Sequence, residues 1–145
     1  FRISGIYGKH RNVMKQILSK NINPIFKENH FFNRIHEKDI ARVLTEAAYS
    51  KINSGIINLS DSFPAPQLEV INYASKIMKI SLLKYRNYQD ICNDIPEPVK
   101  RFWKNNRRVD NSLLIKRYGE LIFPSYMEGL DYIYKDYLLT SSNKD

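Results

Sequence analysis

Two short apolar runs of strand length, each followed by a helical pattern, are the feature that most constrains the fold of this chain. The first run covers residues 1–6 and the second lies within 55–60. Continuous apolar runs of this length are typical of strands covered on both faces, as in a parallel sheet. Helical periodicity follows each run, at 12–19 and 66–79, as a strand–helix–strand unit requires. The two runs are therefore predicted to be parallel strands of an α/β sheet.

Two deeply buried strands cannot close a core by themselves, so further strands of the same sheet are expected outside this chain. The chain also begins at Phe1, inside the first run, and we expect it to continue upstream. The first strand should then have an apolar face with no partner among the 145 residues. Phe1, Ile3 and Ile6 are predicted to be partly exposed on that face.

The remaining elements are predicted from periodicity and capping signals. Short strands are expected at 22–26, 31–35 and 121–123, and helices at Glu37–Lys51, 99–103, 111–118 and after Ser125. Further signals are Pro66 as a first helical residue, Gly119 as a left-handed stop, and a capping box of Ser125 with Glu128. The predicted buried faces are Val99, Phe102 and Trp103 in one helix and Met127, Leu130, Tyr134, Tyr137 and Leu138 in the last.

The chain is basic, with 23 Lys and Arg against 15 Asp and Glu and a formal charge of +8. The basic residues are dispersed rather than gathered in one run, so a solvated surface is favoured over a nucleic-acid interface. A basic lining for an anionic ligand remains equally compatible. One cysteine excludes an internal disulfide and a cysteine-rich zinc module. Neither a run of about 20 apolar residues nor the order of a signal peptide is present, which predicts a cytoplasmic, non-membrane protein.

Several catalytic and binding motifs are excluded by their spacing. The segment from Gly5 to His10 lacks the first glycine and the hydroxyl residue of a phosphate-binding loop, and no G-x-G-x-x-G is present. The three histidines do not share a helical zinc spacing, and no G-x-S-x-G exists for a serine hydrolase. Cys92 lies between apolar residues and is interpreted as a small hydrophobe rather than a nucleophile.

Four segments, in order, resemble one family. They read F-R-I-S-G-I-Y-G at 1–8, F-N-R-I-H-E-K-D-I-A at 32–41, I-N-L-S-D-S-F-P-A-P at 57–66, and N-R-R-V-D-N at 106–111 with Y-G-E-L-I-F-P-S-Y-M-E-G-L at 118–130. This series resembles the C-terminal half of the short-chain dehydrogenase/reductases, in their extended or atypical NAD(P)-dependent epimerase/dehydratase branch.

The resemblance implies a longer Rossmann-type oxidoreductase, of which residues 1–145 would be the substrate-binding half. The fold class expected is therefore α/β, the C-terminal part of a Rossmann-type parallel sheet with a small substrate-binding subdomain. The cofactor implied is NAD or NADP. Its glycine-rich loop and the family's catalytic Tyr-x-x-x-Lys pair are absent here and are expected upstream. The implied partners are a small-molecule substrate and the N-terminal half of the same protein.

The same resemblance assigns cofactor contacts to Gly5, Ile6 and Tyr7, in the segment that passes the nicotinamide end of the cofactor in the family. A glycine lets the backbone approach a ring closely. The structural alternative for Gly5 is a close contact between the strand and a helix.

Five residues are predicted to bind substrate: Arg11, Asn33, Arg34, Arg108 and Tyr126. Asn33 and Arg34 are polar positions in an apolar strand, and the arginines suit bidentate binding of an anion. Tyr126 rests on the resemblance alone. Many relatives have Asn where Gly5 stands, and its absence weakens the case for a nucleotide-sugar substrate. Many epimerases have Arg where Phe32 stands, and Arg34, two residues on along the same face of the strand, would serve instead. His36 and Asp39 are interpreted as helix-capping residues.

Three functions follow from these observations. The leading one is the substrate-binding part of an NAD(P)-dependent epimerase, dehydratase or reductase for a sugar- or carbonyl-type substrate. The second is a non-catalytic, NAD(P)-binding regulatory protein of the same fold. The third and least favoured is a basic nucleic-acid-binding module. The sequence that precedes Phe1 discriminates the first two.

Overall fold

The computed structural model describes residues 1–50 and 55–142, with side chains described as far as residue 139. The strands along these residues are β1 (Arg2–Ile3), β2 (Gly5–Tyr7), β3 (Ile25–Phe26), β4 (Arg34–His36), β5 (Asn58–Leu59) and β6 (Arg86–Asn87). The helices are α1 (Val13–Leu18), α2 (Glu37–Tyr49), α3 (Gln67–Ile77), α4 (Tyr88–Ile91), α5 (Glu97–Lys104), α6 (Ser112–Tyr118) and α7 (Tyr126–Ser142). The predicted end of α2 at Lys51 lies outside the described residues. Strands and helices alternate, as the α/β prediction requires.

The strands form three parallel pairs, each of which joins segments far apart in the sequence. β1 pairs with β5, with Arg2 opposite Asn58 and Ile3 opposite Leu59. The predicted parallel pairing of the two apolar runs is therefore confirmed. β2 pairs with β4, and β3 pairs with β6, also in parallel.

The first apolar run forms two strands with different partners rather than the single strand predicted. The amide of Ser4 donates to the carbonyl of Leu59 at 2.9 Å, whereas the next amide, that of Gly5, donates to the carbonyl of Asn33 at 3.0 Å. The chain thus changes partner from β5 to β4 between Ser4 and Gly5. The apolar pattern of one segment does not show which neighbour accepts each amide, so it cannot reveal this change.

The first two strands leave an apolar face uncovered. Phe1, Ile3 and Ile6 are 50%, 46% and 47% exposed, respectively. The predicted partial exposure of these three side chains is confirmed within the part of the chain that the structure describes.

The larger core lies between β2, α1, α3 and α7. Its buried side chains are Tyr7, Met14, Ile17, Ala65, Val70, Ile71, Ala74, Tyr126, Leu130 and Ile133. Gly129 of α7 faces the ring of Tyr7, and a Cβ atom at position 129 would lie 2.7 Å from that ring. The absence of a side chain at Gly129 therefore lets α7 pack closely against β2.

A second core lies beneath α2 and α6. At its edge, the predicted strand at 121–123 is wrong. Residues 121–123 do not form a strand. The amides of Ile122 and Phe123 instead donate to the carboxylate of the buried Asp39, at 2.7 and 3.1 Å. A side chain far away in the sequence supplies the acceptor that a neighbouring strand would have supplied.

The small subdomain predicted with the sheet is formed by β3, β6, α4 and α5. The ring of Trp103 stacks on His30 at 5.3 Å and on Tyr88 at 5.7 Å, measured between ring centroids. Ile25 and Ile91 complete the buried cluster. This subdomain packs against the strand segment that leads into β4, since Phe32 contacts the same tryptophan at 5.1 Å.

Two predicted helix faces are only partly buried. In α5, Trp103 is buried, but Phe102 is 70% exposed. In α7, Leu130 is buried, whereas Tyr137 and Leu138 lie about half exposed because the helix extends beyond the core it packs on. Periodicity identifies the apolar stripe of a helix but not the length over which neighbours cover it.

The predicted helix ends largely agree with the structure. Ser125 and Glu128 form the capping box, in which the amide of Met127 donates to the hydroxyl of Ser125 and the amide of Ser125 to the carboxylate of Glu128. α6 ends at Gly119, whose φ is 72°. Pro66 is the N-cap of α3 rather than its first residue. None of the described helices is long and apolar enough to cross a membrane.

Candidate functional site

One pocket brings together six of the eight residues predicted to bind a cofactor or substrate. It has a volume of about 280 Å³ and lies between β2, the start of β4, α1 and α3. Its lining includes Gly5, Ile6, Tyr7, Arg11, Asn33 and Arg34. We call it the inner pocket. The residues predicted to contact the cofactor and three of the residues predicted to bind substrate thus line the same pocket.

The position of the inner pocket in the sheet is that expected of a ligand site. The carbonyl of Asn33 accepts the amide of Gly5, and the carbonyl of Arg34 accepts the amide of Asp61 at 2.7 Å. Asn33 and Arg34 therefore lie at the carboxyl ends of β1 and β5, where β2 and β4 begin. Parallel α/β sheets bind ligands at the carboxyl ends of their strands, which here are those of β1 and β5.

Arg34 is the most constrained cation of the inner pocket. Its Nη1 donates to the carbonyls of Phe32 and Ala65, both at 3.0 Å. Because Nη1 carries two hydrogens and both are used, a ligand must be bound through Nη2 or Nε. Burial lowers the pKa of Arg34, while the nearby Asp61 opposes this shift. Arg34 forms no ion pair with a carboxylate of the described residues, so a partly buried positive charge is left for an anionic ligand.

Asp61 is the main acidic neighbour of Arg34 and was not predicted as a site residue. It is 1% exposed, and its Oδ1 accepts the amide of Phe63 at 3.3 Å. Its Oδ2 has no hydrogen-bond partner among the described residues. Burial raises the pKa of Asp61 to about 7, against the opposing effects of the Phe63 amide and of Arg34. The only signal in the sequence was a carboxylate directly after the second apolar run, within N-L-S-D.

Tyr7 lines the inner pocket with its ring, but its hydroxyl points into the core. The hydroxyl donates to the carbonyl of Ser125 at 3.4 Å. Burial raises the pKa of Tyr7 further above its ordinary value, and the carboxylates of Asp61 and Asp39 add to the effect. Tyr7 therefore stays protonated at physiological pH.

The sequence leaves two explanations for a glycine at position 5, which are close contact with a cofactor ring and close contact between the strand and a helix. A Cβ atom at Gly5 would lie 3.1 Å from the carbonyl oxygen of Asn33. The crowding thus comes from the neighbouring strand rather than from a helix. Ile6, next to it, offers an exposed apolar side chain.

A second and larger pocket, of about 910 Å³, adjoins the first and shares Gly5, Phe32 and Asn33 with it. We call it the outer pocket. Its charged lining residues are Arg2, Arg101, Arg107, Arg108 and Asp110. The carboxylate of Asp110 accepts the amide and hydroxyl of Ser112. The outer pocket therefore has a strongly basic lining suited to an anion.

The remaining predicted residues lie around the two pockets in different ways. Arg11 is exposed at the rim of the inner pocket, and Arg108 lies in the outer pocket. Tyr126 is buried in the larger core, with its ring 5.7 Å from Tyr73. Gln67, which sequence reasoning missed, lines the inner pocket and uses its Oε1 to accept the amide of Ile25 at 3.1 Å.

His30 and His36 serve packing and capping. His36 caps α2 by accepting the amide of Lys38 at 3.1 Å, and its ring contacts Tyr7 and Phe123. Burial lowers the pKa of both His30 and His36. The interpretation of His36 as a capping residue agrees with this geometry.

Solved structures of similar fold place this arrangement among known proteins. A conserved protein of unknown function from Silicibacter pomeroyi DSS matches 94% of this chain with a TM-score of 0.86 and 30% identity, over 48% of its own length. The human epimerase family protein SDR39U1, solved with NADPH, matches 93% with a TM-score of 0.77 and 17% identity, over 47% of its length. UDP-glucuronic acid 4-epimerase from Bacillus cereus, in complex with NAD, matches 94% with a TM-score of 0.62 and 21% identity, over 44% of its length.

The chain has the fold of the C-terminal half of an NAD-dependent epimerase/dehydratase. The family resemblance found in the sequence is confirmed at this level. The chain spans just under half the length of the epimerase/dehydratase structures it matches. No family model matches the sequence, and neither does any curated protein. The epimerase/dehydratase fold was thus recognisable from four short motifs and from the three-dimensional arrangement.

Proposed function

We propose that this chain is the substrate-binding half of an NAD(P)-dependent epimerase, dehydratase or reductase that acts on a sugar- or carbonyl-type substrate. One observation carries the proposal: the inner pocket gathers the predicted cofactor segment and three predicted substrate residues at the carboxyl ends of β1 and β5. The glycine-rich loop and the catalytic Tyr and Lys would be supplied upstream. A cytoplasmic location, as the sequence predicts, is part of this proposal.

The residues present fit the nicotinamide end of NAD or NADP. Gly5 and Ile6 border the pockets with a bare backbone and an exposed apolar side chain, which suit contact with a planar ring. When bound, the cofactor would supply hydride transfer at the substrate carbon. In this half of the protein, Arg34 and Arg11 would orient the substrate through its anionic or carbonyl oxygens.

The exposed side chains of Phe1 and Ile3, 50% and 46% exposed, support a partner for these strands. Sheets of two short strands with an uncovered apolar face are not stable alone. We propose that the N-terminal half of the same protein covers this face. The same half would close the open side of the substrate cleft.

The test uses the intact protein in which this chain occurs. NADH and NADPH binding is measured by fluorescence, and turnover is followed by NAD(P)H absorbance or product analysis over a panel of sugars, sugar acids and carbonyl compounds. Arg34→Gln should raise KM for the substrate at least tenfold and leave cofactor affinity within twofold, because Arg34 is proposed to contact the substrate and not the cofactor. The isolated 145-residue chain should show no turnover.

Arg117→Gln is the matched control, because Arg117 is an exposed arginine of α6 outside both pockets. It should leave KM and cofactor affinity unchanged. Cofactor binding without turnover of any substrate would favour the regulatory protein instead. Absence of cofactor binding by the intact protein would refute the proposal.

A further inference from the structure

Arg108 is an exposed arginine that is held by its surroundings. Its guanidinium lies 3.8 Å from the centroid of the Phe31 ring, stacked in the outer pocket. Phe31 is itself fixed, since its amide donates to Oδ1 of Asn106 at 2.9 Å. Stacking on an aromatic face leaves the N–H groups at the edge of the guanidinium free to meet an anion.

Asn33 holds the backbone on both sides of Arg108. Its Nδ2 donates to the carbonyl of Arg107 at 2.8 Å, and its Oδ1 accepts the amide of Val109 at 2.8 Å. The side-chain amide of Asn33 is therefore hydrogen-bonded to the residue before Arg108 and to the residue after it.

The side chain of Asn33 connects the loop of residues 107–109 to the sheet. The carbonyl of Asn33 accepts the amide of Gly5, so the backbone of Asn33 is itself hydrogen-bonded to β2. Each end of the Asn33 amide therefore makes one bond to the loop of residues 107–109. Direct binding of substrate by Asn33 stays a prediction, and the two bonds give Asn33 a structural role toward Arg108 beside it.

We infer that Asn33 is a positioning residue that fixes Arg108 to receive an oxyanion of the substrate, a phosphate or a carboxylate. The inference rests on the proposed function, because it places a substrate group in the outer pocket. Arg2, Arg101 and Arg107 add positive charge there, and Asp110, the one acidic lining residue, is engaged with Ser112. A pre-positioned arginine binds an anion more tightly because less side-chain freedom is lost on binding.

The experiment measures binding of two probes to the intact protein by calorimetry, inorganic pyrophosphate for phosphate and glucuronate for carboxylate. The variants are Asn33→Ala, Arg108→Ala and the double variant. Each single substitution should weaken the preferred probe about tenfold, which corresponds to the loss of a positioned charge-assisted contact. The double variant should bind no more weakly than Arg108→Ala alone, because Asn33 acts only through Arg108.

Asn111→Ala is the matched control. Asn111 lies in the same loop region and donates from Nδ2 to the carbonyl of Ser60 at 2.9 Å and to the hydroxyl of Ser62 at 3.0 Å, away from Arg108. It should leave probe affinity within twofold. If Asn33→Ala does not fold, Phe31→Leu tests the other support of Arg108 at a half-buried position and should weaken binding several-fold.

Additive losses in the double variant, or an equal loss in Asn111→Ala, would overturn the inference. So would binding of neither probe by the folded wild-type protein. These outcomes differ from failure of the proposed function, which is shown by loss of NAD(P)H binding. The probe that binds more tightly identifies whether the substrate group is a phosphate or a carboxylate.

Discussion

The ring of Tyr7 occupies the space that a side chain at position 129 would need. The contact joins β2 to α7 across the larger core, and the tyrosine hydroxyl reaches the carbonyl of Ser125 at the start of the same helix. A side chain on the one glycine of α7 would therefore separate the helix from the strand that borders the inner pocket.

Gly129→Ala should destabilise the folded protein by about 1–3 kcal/mol, as expected for overpacking of a core. Without the contact the change would be stabilising, since alanine is the better helix former. Chemical denaturation measures the difference. Tyr7→Leu combined with Gly129→Ala should cost less than the two separate losses together, because the smaller side chain removes the clash. Strict additivity would show that Tyr7 is not the cause.

Asp39→Asn should destabilise the protein by about 1–3 kcal/mol, because an amide cannot accept from both Ile122 and Phe123 without facing one of them with its own N–H group. Urea denaturation gives the magnitude. Glu46→Gln is the control, since Glu46 pairs with Arg42 on the surface of α2, where such pairs contribute little. Equal effects of the two substitutions would contradict the assigned role of Asp39.

The buried Asp61 should make stability depend on pH. Burial raises its pKa to about 7 from the ordinary value of 3.8, so the folded protein holds the proton more tightly than the unfolded chain. Its contribution to stability is fully present below pH 3.8 and is lost as the pH rises through about 7. The stability of the wild type relative to Asp61→Asn should therefore fall across this range, by at most about 1.4 kcal/mol per pH unit.

Denaturation of both proteins at a series of pH values measures this difference. Asp90→Asn, at an exposed position of α4, is the control for the loss of one carboxylate. A flat curve for Asp61→Asn, or one that rises with pH, would show that the carboxylate is not held in this environment.

The exposed face of β1 and β2 should be covered in the intact protein. Ile3→Glu should reduce its stability by about 1.5–3 kcal/mol or prevent folding, as expected when a buried apolar side chain is replaced by a charge. Leu44→Glu is the matched control, because Leu44 is 44% exposed and Ile3 is 46% exposed within the chain. Thermal or urea unfolding compares the two variants. Similar small effects would mean that the face is open to water.

The sequence was sufficient for the parts of the fold that depend on local pattern. The apolar runs, the start of α2 at Glu37, the capping box at Ser125 and the stop at Gly119 each follow from neighbouring residues. The division of the first run and the irregular path of 121–123 depend on acceptors supplied by Leu59, Asn33 and Asp39. No local pattern contains that information.

The sequence predicted which residues line the inner pocket better than it predicted what their side chains do there. The sequence identified Asn33 and Arg34 as polar positions in an apolar strand, and both line the inner pocket. It did not show that the amide of Asn33 is used by the loop around Arg108. Asp61 was missed because a carboxylate that follows a strand has no distinctive spacing, and only the burial of its Oδ2 sets it apart.

The parallel pairing of all the described strands has a consequence for how the chain folds. Parallel partners need a long crossover, so β1 must find β5, and β3 must find β6, across much of the sequence. Each pairing closes a large loop before it gains any contact, and such topologies fold slowly. We expect local helices such as α2 and α7 to form early and the sheet to assemble last. Until then the apolar edges at Phe1–Ile6 are open to other chains, so the period of greatest aggregation risk comes before the sheet closes.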